Sequence, residues 1–249
     1  MTEGISATII TLNEADHIAR AIRSVQFCDE VVVVDSGSTD RTAEIADSLG
    51  AVVTENPWPG YAAQKNFAAR LARNDWILSI DADEEVSPGL ASDIARLNLG
   101  SGDCAGYDFP RLARYCGRWI RHSGWYPDRK VRLYHRGRGQ WAGGYVHETV
   151  QIPGPVGHLE GDLLHYTCES LDQHRRNVER YTDLAAREIH ASGKPSPAWR
   201  ILAGPPFSFL KSYVLQRGFL DGSAGLTIAR MAAKYVYLKH SKARQLAKG

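Results

Sequence analysis

The chain has 249 residues, 43% hydrophobic and 23% charged, which fits a globular protein with a sizeable core and argues against a disordered or fibrous chain. Four widely spaced cysteines without a CxxC pair argue against a zinc knuckle or a disulfide framework and point to a reducing compartment. The net charge of +2 conceals an asymmetry: Phe207–Gly249 carries eight Lys/Arg and one acid, Asp221, a net of +7, which leaves the first 206 residues at −5.

The N-terminus, MTEGISATIITLNEADH, has early acids and no long apolar stretch, so no signal peptide is expected. No run of ~18 apolar residues occurs, so no membrane span is expected. Ile5–Ile10 reads as a β-strand, and Ile18, Ile22 and Val25 recur at helical spacing. Glu30–Val34 is a second strand, RTAEIADSLG a helix closed by Gly50, Ala51–Thr54 a short strand, Tyr61–Arg73 a helix and Asp75–Ile80 a buried strand. Ser87-Pro88 supplies an N-cap and first turn for a helix reaching Leu97. Strands alternating with helices predict βαβ units, hence an α/β fold with a mainly parallel sheet. Beyond Gly100 the pattern turns to short strands (Tyr107–Pro110, Lys130–Tyr134, Leu163–Tyr166), long loops and a helix over residues 169–191, stopped by Gly193 and Pro195. A Pro/Gly-containing link leads to the basic C-terminal segment. The expected division is 1–166 (with halves 1–100 and 101–166) and a helical, amphipathic region 167–249.

Ligands of open α/β sheets bind at the carboxyl ends of strands, and three such ends carry polar groups. The first ends in Thr11-Leu12-Asn13-Glu14 and the second in Asp35-Ser36-Gly37-Ser38-Thr39-Asp40. Asn13, Thr39 and Asp40 read equally well as caps. Asp35 directly ends four valines, where a carboxylate can accept from a base N–H or a ribose hydroxyl. The third end is LSIDADEE, with Asp81, Asp83, Glu84 and Glu85. If Asp81 and Asp83 lie on a strand, the period of two turns them the same way, and paired carboxylates repel unless a cation intervenes. Hard oxygen ligands suit Mg²⁺ or Mn²⁺, with water and substrate phosphates completing the shell. Glu84 and Glu85 read as solvated acids. No GxGxxG or Walker A loop is present, so phosphate contacts are sought elsewhere. Lys65 in Gln64-Lys65-Asn66 is one candidate, facing a diphosphate.

TLNE, VVVVDSGSTDRT, the AAQKNFA helix and LSIDADEE, in this order and spacing, resemble the GT-A nucleotide-sugar domain of glycosyltransferase family 2, with Asp81-Ala82-Asp83 matching its DxD motif. WYPDRKVRLYHRG, VHET and SYVLQRGFLDG resemble a narrower group, bacterial lipopolysaccharide core glucosyltransferases acting on inner-core heptose. The resemblance implies a nucleotide-sugar donor, with UDP-glucose its usual form. It also implies contacts from Thr11, Asn13, Glu14, Asp35, Ser36, Gly37, Lys65, Asp81 and Ala82, and a metal at Asp83 and Asp81. It implies inversion by single displacement with an acidic base after DxD. The family's ED-like pair is replaced here by Val146-His147-Glu148-Thr149, so Glu148 is the first candidate base and Asp128 of WYPDRK the second. His147 is open between base, metal ligand and packed loop residue.

Arg111, Arg114, Arg118, Arg121, Arg129, Lys130 and Arg132, interleaved with Trp119, Trp125 and Tyr126, suit a phosphorylated glycolipid acceptor, since Arg grips phosphate bidentately and aromatic faces suit sugar C–H surfaces. Such interleaving also suits nucleic acid, but the body is net acidic and lacks RRM, KH or zinc motifs, so no nucleic-acid partner is expected. The basic tail, with Ile228, Met231, Ala232, Tyr235 and Leu238 at helical spacing and an upstream apolar stretch over Phe207–Leu210 and Tyr213–Leu215 flanked by Lys211 and Arg217, fits docking to an anionic inner-membrane surface from the cytoplasm, or packing on the catalytic domain. The leading reading is an inverting, metal-dependent hexosyltransferase. Transfer to a polyprenyl phosphate, a sugar-nucleotide pyrophosphorylase and a non-catalytic sugar- or membrane-binding module are the alternatives. The pyrophosphorylase lacks its expected Gly-rich loop.

Overall fold

The computed structural model of the chain describes residues 3–143, 148–193 and 196–247. It opens with β1 (Ile5–Thr11), α1 (Ile18–Ser24), β2 (Glu30–Asp35), α2 (Thr42–Ser48), β3 (Val52–Glu55), α3 (Tyr61–Leu71) and β4 (Trp76–Asp81). A short β5 (Glu84–Val86) and α4 (Pro88–Ala95) follow. The Ser87 side chain accepts from Leu90 N and Pro88 occupies the first turn, as the sequence leads one to expect. Next come β6 (Gly106–Tyr115), β7 (Arg118–Trp119), β8 (Asp128–His135), β9 (Gln140–Ala142), β10 (Thr149–Gln151), β11 (Val156–His158) and β12 (Leu163–Cys168). The helices α5 (Leu171–Ala191), α6 (Ala198–Leu202), α7 (Gly204–Leu210) and α8 (Gly222–Leu246) end the chain.

The main sheet runs β3-β2-β1-β4-β8-β6-β12-β5, with β9 and β10 as a separate hairpin. Its first four strands are parallel, and β8 joins antiparallel to β4 and β6. The parallel strands with their intervening helices give the expected α/β class, and the C-terminal helices complete it.

Why four valines run together follows from burial on both faces, as in other parallel sheets. Val31 and Val33 join Ala7, Ile9, Leu78 and Ile80 in a core covered by Ile18, Ile22, Ala46 and Leu90 from α1, α2 and α4. Val32 and Val34 point the other way, to Ile10 and to Ala68 of α3. Each side chain of this size contributes roughly 1.5–3 kcal/mol on full burial.

The chain forms two compact units, Met1–Arg111 with Asp128–His165, and Leu112–Pro127 with Tyr166–Gly249. The segment 112–127, expected with the catalytic half, thus groups with the C-terminal helices. The physical reason is Asp221, a buried carboxylate that accepts from Arg121 N, His122 N and Ser123 Oγ at 3.0–3.2 Å. Tyr115, Ile120, Cys168 and Ile228 form a small core in this second unit. Within it α8 packs on α5: Lys242 meets Glu179 at 2.9 Å and Asp183 at 2.8 Å, and Lys234 meets Glu179 at 3.2 Å.

Gly161 of the first unit lies against the first turn of α4. A Cβ there would stand 2.3 Å from both Leu90 Cα and Leu90 N, which are backbone atoms that cannot swing aside. Gly161→Ala is expected to destabilise the protein by about 1–3 kcal/mol, the range for overpacking. The shift in urea midpoint measures this, and an unchanged midpoint would show that α4 gives way freely.

Candidate active site

The carboxyl ends of β2, β1 and β4 lie side by side. In register, Thr11 stands opposite Asp35, and Ile10 opposite Asp81, so the two aspartates flank β1. Asp35 is buried and folds back on its own turn. Its carboxylate accepts from Gly37 N at 3.1 Å, Ser38 N at 2.7 Å and Ser38 Oγ. Gly37, at φ 93°, supplies the left-handed residue that this turn needs. Asn13 joins the same loop system: its N donates to Ser38 Oγ, and its Oδ1 accepts from Thr39 N, both at 2.8 Å. Among the described residues, the buried Thr11 hydroxyl finds no protein partner. Ser36 Oγ accepts from Gln64 at 3.1 Å.

Asp81 and Asp83 do not share a direction. Asp81 ends β4, whereas Asp83 sits in the turn before β5, so the period of two stops at Asp81. Ala82 between them is buried. Two protein cations lie against Asp81. Lys65 Nζ lies 2.9 Å from its Oδ1 as an ion pair, and Arg132 Nη2 lies 2.8 Å from its Oδ2. Burial alone would raise the Asp81 carboxyl, but the adjacent Arg132 and Lys65 charges override it and hold the group well below the usual carboxylate range. Burial would lower the Arg132 guanidinium, but the Asp81 and neighbouring Glu84 charges drive it above its ordinary value.

Lys65 is 1% exposed and does not reach outward from its helix. It also meets Glu148 Oε1 at 3.2 Å and lies 4.3 Å from the Trp141 ring centre. Glu84, read from sequence as a solvated acid, is fully buried. It accepts from Asp81 N at 2.9 Å and pairs with Arg132 at 2.9 Å and Arg111 at 3.4 Å. Local sequence hides this because both arginines come from the later strands β6 and β8. Arg111 pairs with Asp128 at 2.7 Å, and Asp128 with Lys130 at 3.0 Å. A continuous alternation results: Glu148, Lys65, Asp81, Arg132, Glu84, Arg111, Asp128, Lys130. The first-choice base opens it and the second-choice base lies near its other end. Burial pushes Asp128 up, yet Arg111 and Lys130 hold it below its ordinary value.

Glu85 pairs with Arg20 at 3.6 Å. Arg129 bonds Asp108 at 2.7 Å and Leu159 O at 2.6 Å. Of the basic residues read as an acceptor surface, those of the first unit are therefore engaged with acids, while Arg114, Arg118 and Arg121 belong to the second unit. His147 lies outside the described residues.

Asp83 also lies outside that chain, and its Oδ2 lies 3.2 Å from Nε2 of His165. The pairing follows from register, since His165 on β12 stands opposite Glu84 on β5. Sequence reasoning missed His165 because it is embedded in the strand LLHYTC. Glu14 is nearby, raised by burial and by the Asp83 charge against the pull of its His17 hydrogen bond. Among the described residues no three His, Cys, Asp or Glu side chains form a ready metal cage. The Asp83–His165 pair nevertheless fits a divalent ion that takes most of its ligands from water and phosphate, and its N/O character suits Mn²⁺ as well as Mg²⁺.

A family model, glycosyl transferase family 2, matches residues 6–150. The chain belongs to glycosyl transferase family 2. This glycosyltransferase is similar to the lipopolysaccharide core biosynthesis glycosyltransferase LpsC of Rhizobium meliloti, 32% identical over 96% of this chain and 94% of that one. An uncharacterised glycosyltransferase of Rickettsia prowazekii is 34% identical over 97% of this chain and 87% of its own. A solved mycobacterial protein shares the fold, with a TM-score of 0.50 and 18% identity over 78% of this chain and 76% of that one.

The charge chain generates a stability prediction. Arg132→Leu leaves Asp81 short of one cation and Glu84 buried beside a single, longer contact to Arg111. Removing one partner of a buried pair costs about 3–5 kcal/mol, and adding Glu84→Gln should recover part of it. Urea denaturation of the single and double variants measures both effects. A loss below about 1 kcal/mol, the scale of exposed pairs, would show that the network carries little.

Proposed function

We propose that the enzyme transfers a hexose, glucose from UDP-glucose, to a lipopolysaccharide inner-core acceptor with inversion. On this reading it meets the lipid-borne acceptor at the cytoplasmic face of the inner membrane. The observation that carries the proposal is Lys65, which ties Glu148 to Asp81 (3.2 and 2.9 Å) and so holds a candidate base beside the DxD end of β4. The naming of LpsC supports the acceptor class. Among the described residues no helix is long and apolar enough to cross a membrane.

Asp35, Ser36 and Gly37 at the end of β2, with Thr11, Asn13 and Glu14 beside them, would receive the nucleoside. The Thr11 hydroxyl, lacking a protein partner, is suited to a ligand hydrogen bond. A divalent cation held by Asp83 and His165 would offset the charge of the departing diphosphate. In the single displacement, the acceptor hydroxyl oxygen bonds the anomeric carbon as the bond to the diphosphate breaks. The hydroxyl proton passes to Glu148, and the electron pair leaves with the nucleoside diphosphate. Lys65 positions Glu148 and does not itself take a proton. Asp128 is the weaker candidate base because Arg111 and Lys130 stabilise its ionised form.

Glu148→Gln should lower turnover by about 10²-fold or more, the scale of a lost general base, with UDP affinity nearly intact. Donor hydrolysis and transfer, screened with UDP-glucose, UDP-galactose, UDP-GlcNAc and GDP-mannose, measure this, and near-normal turnover would shift the role to Asp128. Asp83→Ala and His165→Ala should each abolish the Mn²⁺-dependent part of UDP binding while leaving the fold intact. Calorimetric titration of UDP with and without Mn²⁺ decides it. Undiminished metal-dependent affinity in both variants would remove the pair from the metal site.

A further inference from the structure

From Ala198 to Leu215 the chain is nearly continuously helical, through α6, α7 and a wider π-turn over Lys211–Leu215. Ala203 N bonds Trp199 O and Phe207 N bonds Ala203 O, so hydrogen bonding continues across the joint between α6 and α7. A helix on a globular surface normally turns its polar side outward. Here the outward side is apolar. Trp199, Leu202, Phe207 and Leu215 are 62, 75, 67 and 70% exposed, and Leu210 and Val214 about half. Trp199, Ala203, Pro206, Leu210 and Val214, all exposed, follow one another at steps of three or four residues and so form one stripe along the helix, with Leu202, Phe207 and Leu215 exposed beside it. The opposite side is spent on α8: Gly204 comes so close that a Cβ there would lie 2.9 Å from Val236 Cγ1. Isolated exposed apolar residues are ordinary, but a contiguous stripe marks a contact surface.

The charge beside the stripe is of one sign. Between Ser196 and Leu220 the sequence holds Arg200, Lys211 and Arg217 and no Asp or Glu. Arg200 lies 5.5 Å from the Trp199 ring, an aromatic–cation pair of the kind suited to a lipid–water boundary. The basic helix α8, by contrast, is a poor docking element. Its Ile228 and Ala229 are buried, and its Lys234 and Lys242 are taken by Glu179 and Asp183 of α5. Of the two stretches of the basic tail that the sequence offers for docking, exposure therefore favours the one before α8.

We infer that the α6–α7 stripe is a membrane-docking surface, with Trp199, Leu202, Phe207, Leu210, Val214 and Leu215 lying in the headgroup–acyl boundary and Arg200, Lys211 and Arg217 meeting anionic headgroups. An apolar strip with flanking cations and no acids matches an anionic lipid surface in both respects. The inference deepens the reading of a lipid-borne acceptor, but it rests on exposure and charge and is tested without any sugar.

The experiment is co-sedimentation of the full chain with vesicles of phosphatidylcholine alone or mixed with phosphatidylglycerol, at low and high salt, alongside UDP-glucose hydrolysis in solution. Wild type should prefer the anionic vesicles, and salt should weaken that preference. Leu202→Ser/Phe207→Ser/Leu215→Ser, changed at exposed positions and checked by circular dichroism, should bind at least about tenfold more weakly with hydrolysis unchanged. Lys211→Glu/Arg217→Glu should lose the anionic preference, while Arg230→Glu on α8 stays within about twofold. Unchanged binding of the triple serine variant would overturn the inference. So would a wild type that ignores vesicles and forms a dimer abolished by the same substitutions, since a second copy would then cover the stripe. Vesicle binding without donor turnover would sink the transfer reading and leave the docking surface standing.

Discussion

The Lys65 ammonium, almost wholly excluded from water between Asp81 and Glu148, is the constraint from which the catalytic unit is organised. Desolvating an ammonium costs several kcal/mol unless close carboxylates replace its water. Here the two that do so come from 16 and 83 residues further along the chain. Its neighbours on α3 are equally committed. Gln64 donates to Ser36 and to Asn56 O, and Asn66 exchanges two hydrogen bonds with the Trp141 backbone. Three successive residues thus tie the loop after β2, the end of β4 and the β9–β10 hairpin to one turn of helix. Rotating or sliding α3 would break all three sets together.

That arrangement resolves the crowding of acids behind β4. Four carboxylates in five positions would repel one another in isolation. Lys65, Arg132 and Arg111 interleave with Asp81 and Glu84, so those acids are compensated before any ligand arrives. Buried networks of this kind are weak evidence for added stability, because desolvation offsets much of the Coulombic gain. Their value to the site lies in fixing Glu148 and Asp81 relative to each other. Asp83, beyond Ala82, stays outside the network and keeps His165 as its partner, so the two aspartates stand in different electrostatic surroundings. Mutations at the two aspartates should therefore not be read as equivalent lesions of one motif.

Much of the fold was legible because it is written in local pattern. The βα alternation, the valine run buried on both faces and the Ser87-Pro88 helix start each need only a few adjacent residues. The strand ends bearing Asp35 and Asp81 followed from the same pattern. What escaped was set at long range. Glu84 looks solvated until Arg111 and Arg132 arrive from strands 27 and 48 residues downstream. Lys65 was visible as a helix cation, but which way it faces depends on Glu148 and the hairpin. His165 reads as an ordinary strand residue until the β5–β12 register sets it beside the DxD turn. The grouping of 112–127 with the helical unit hangs on Asp221, about 100 residues away.

The C-terminal unit shows the same division between pattern and partner. Residues 198–215 are apolar on nearly every side, so periodicity alone cannot say which face is covered. α8 covers the side of Gly204, and the Ser123 carbonyl accepts from Ser212 Oγ, which leaves Leu202, Phe207 and Leu215 exposed. Charge divides in the same way. The net +7 of the tail is not a uniform field, because Lys234 and Lys242 are spent on the acids of α5. Their attraction is internal to the helical unit, although these side chains are 23–57% exposed and salt still screens the pairs. Exposed cations stand on both stretches, Arg230 and Arg244 on α8 and Lys211 and Arg217 before it. What distinguishes the stretch before α8 is that its cations flank exposed apolar area with no acid in the segment.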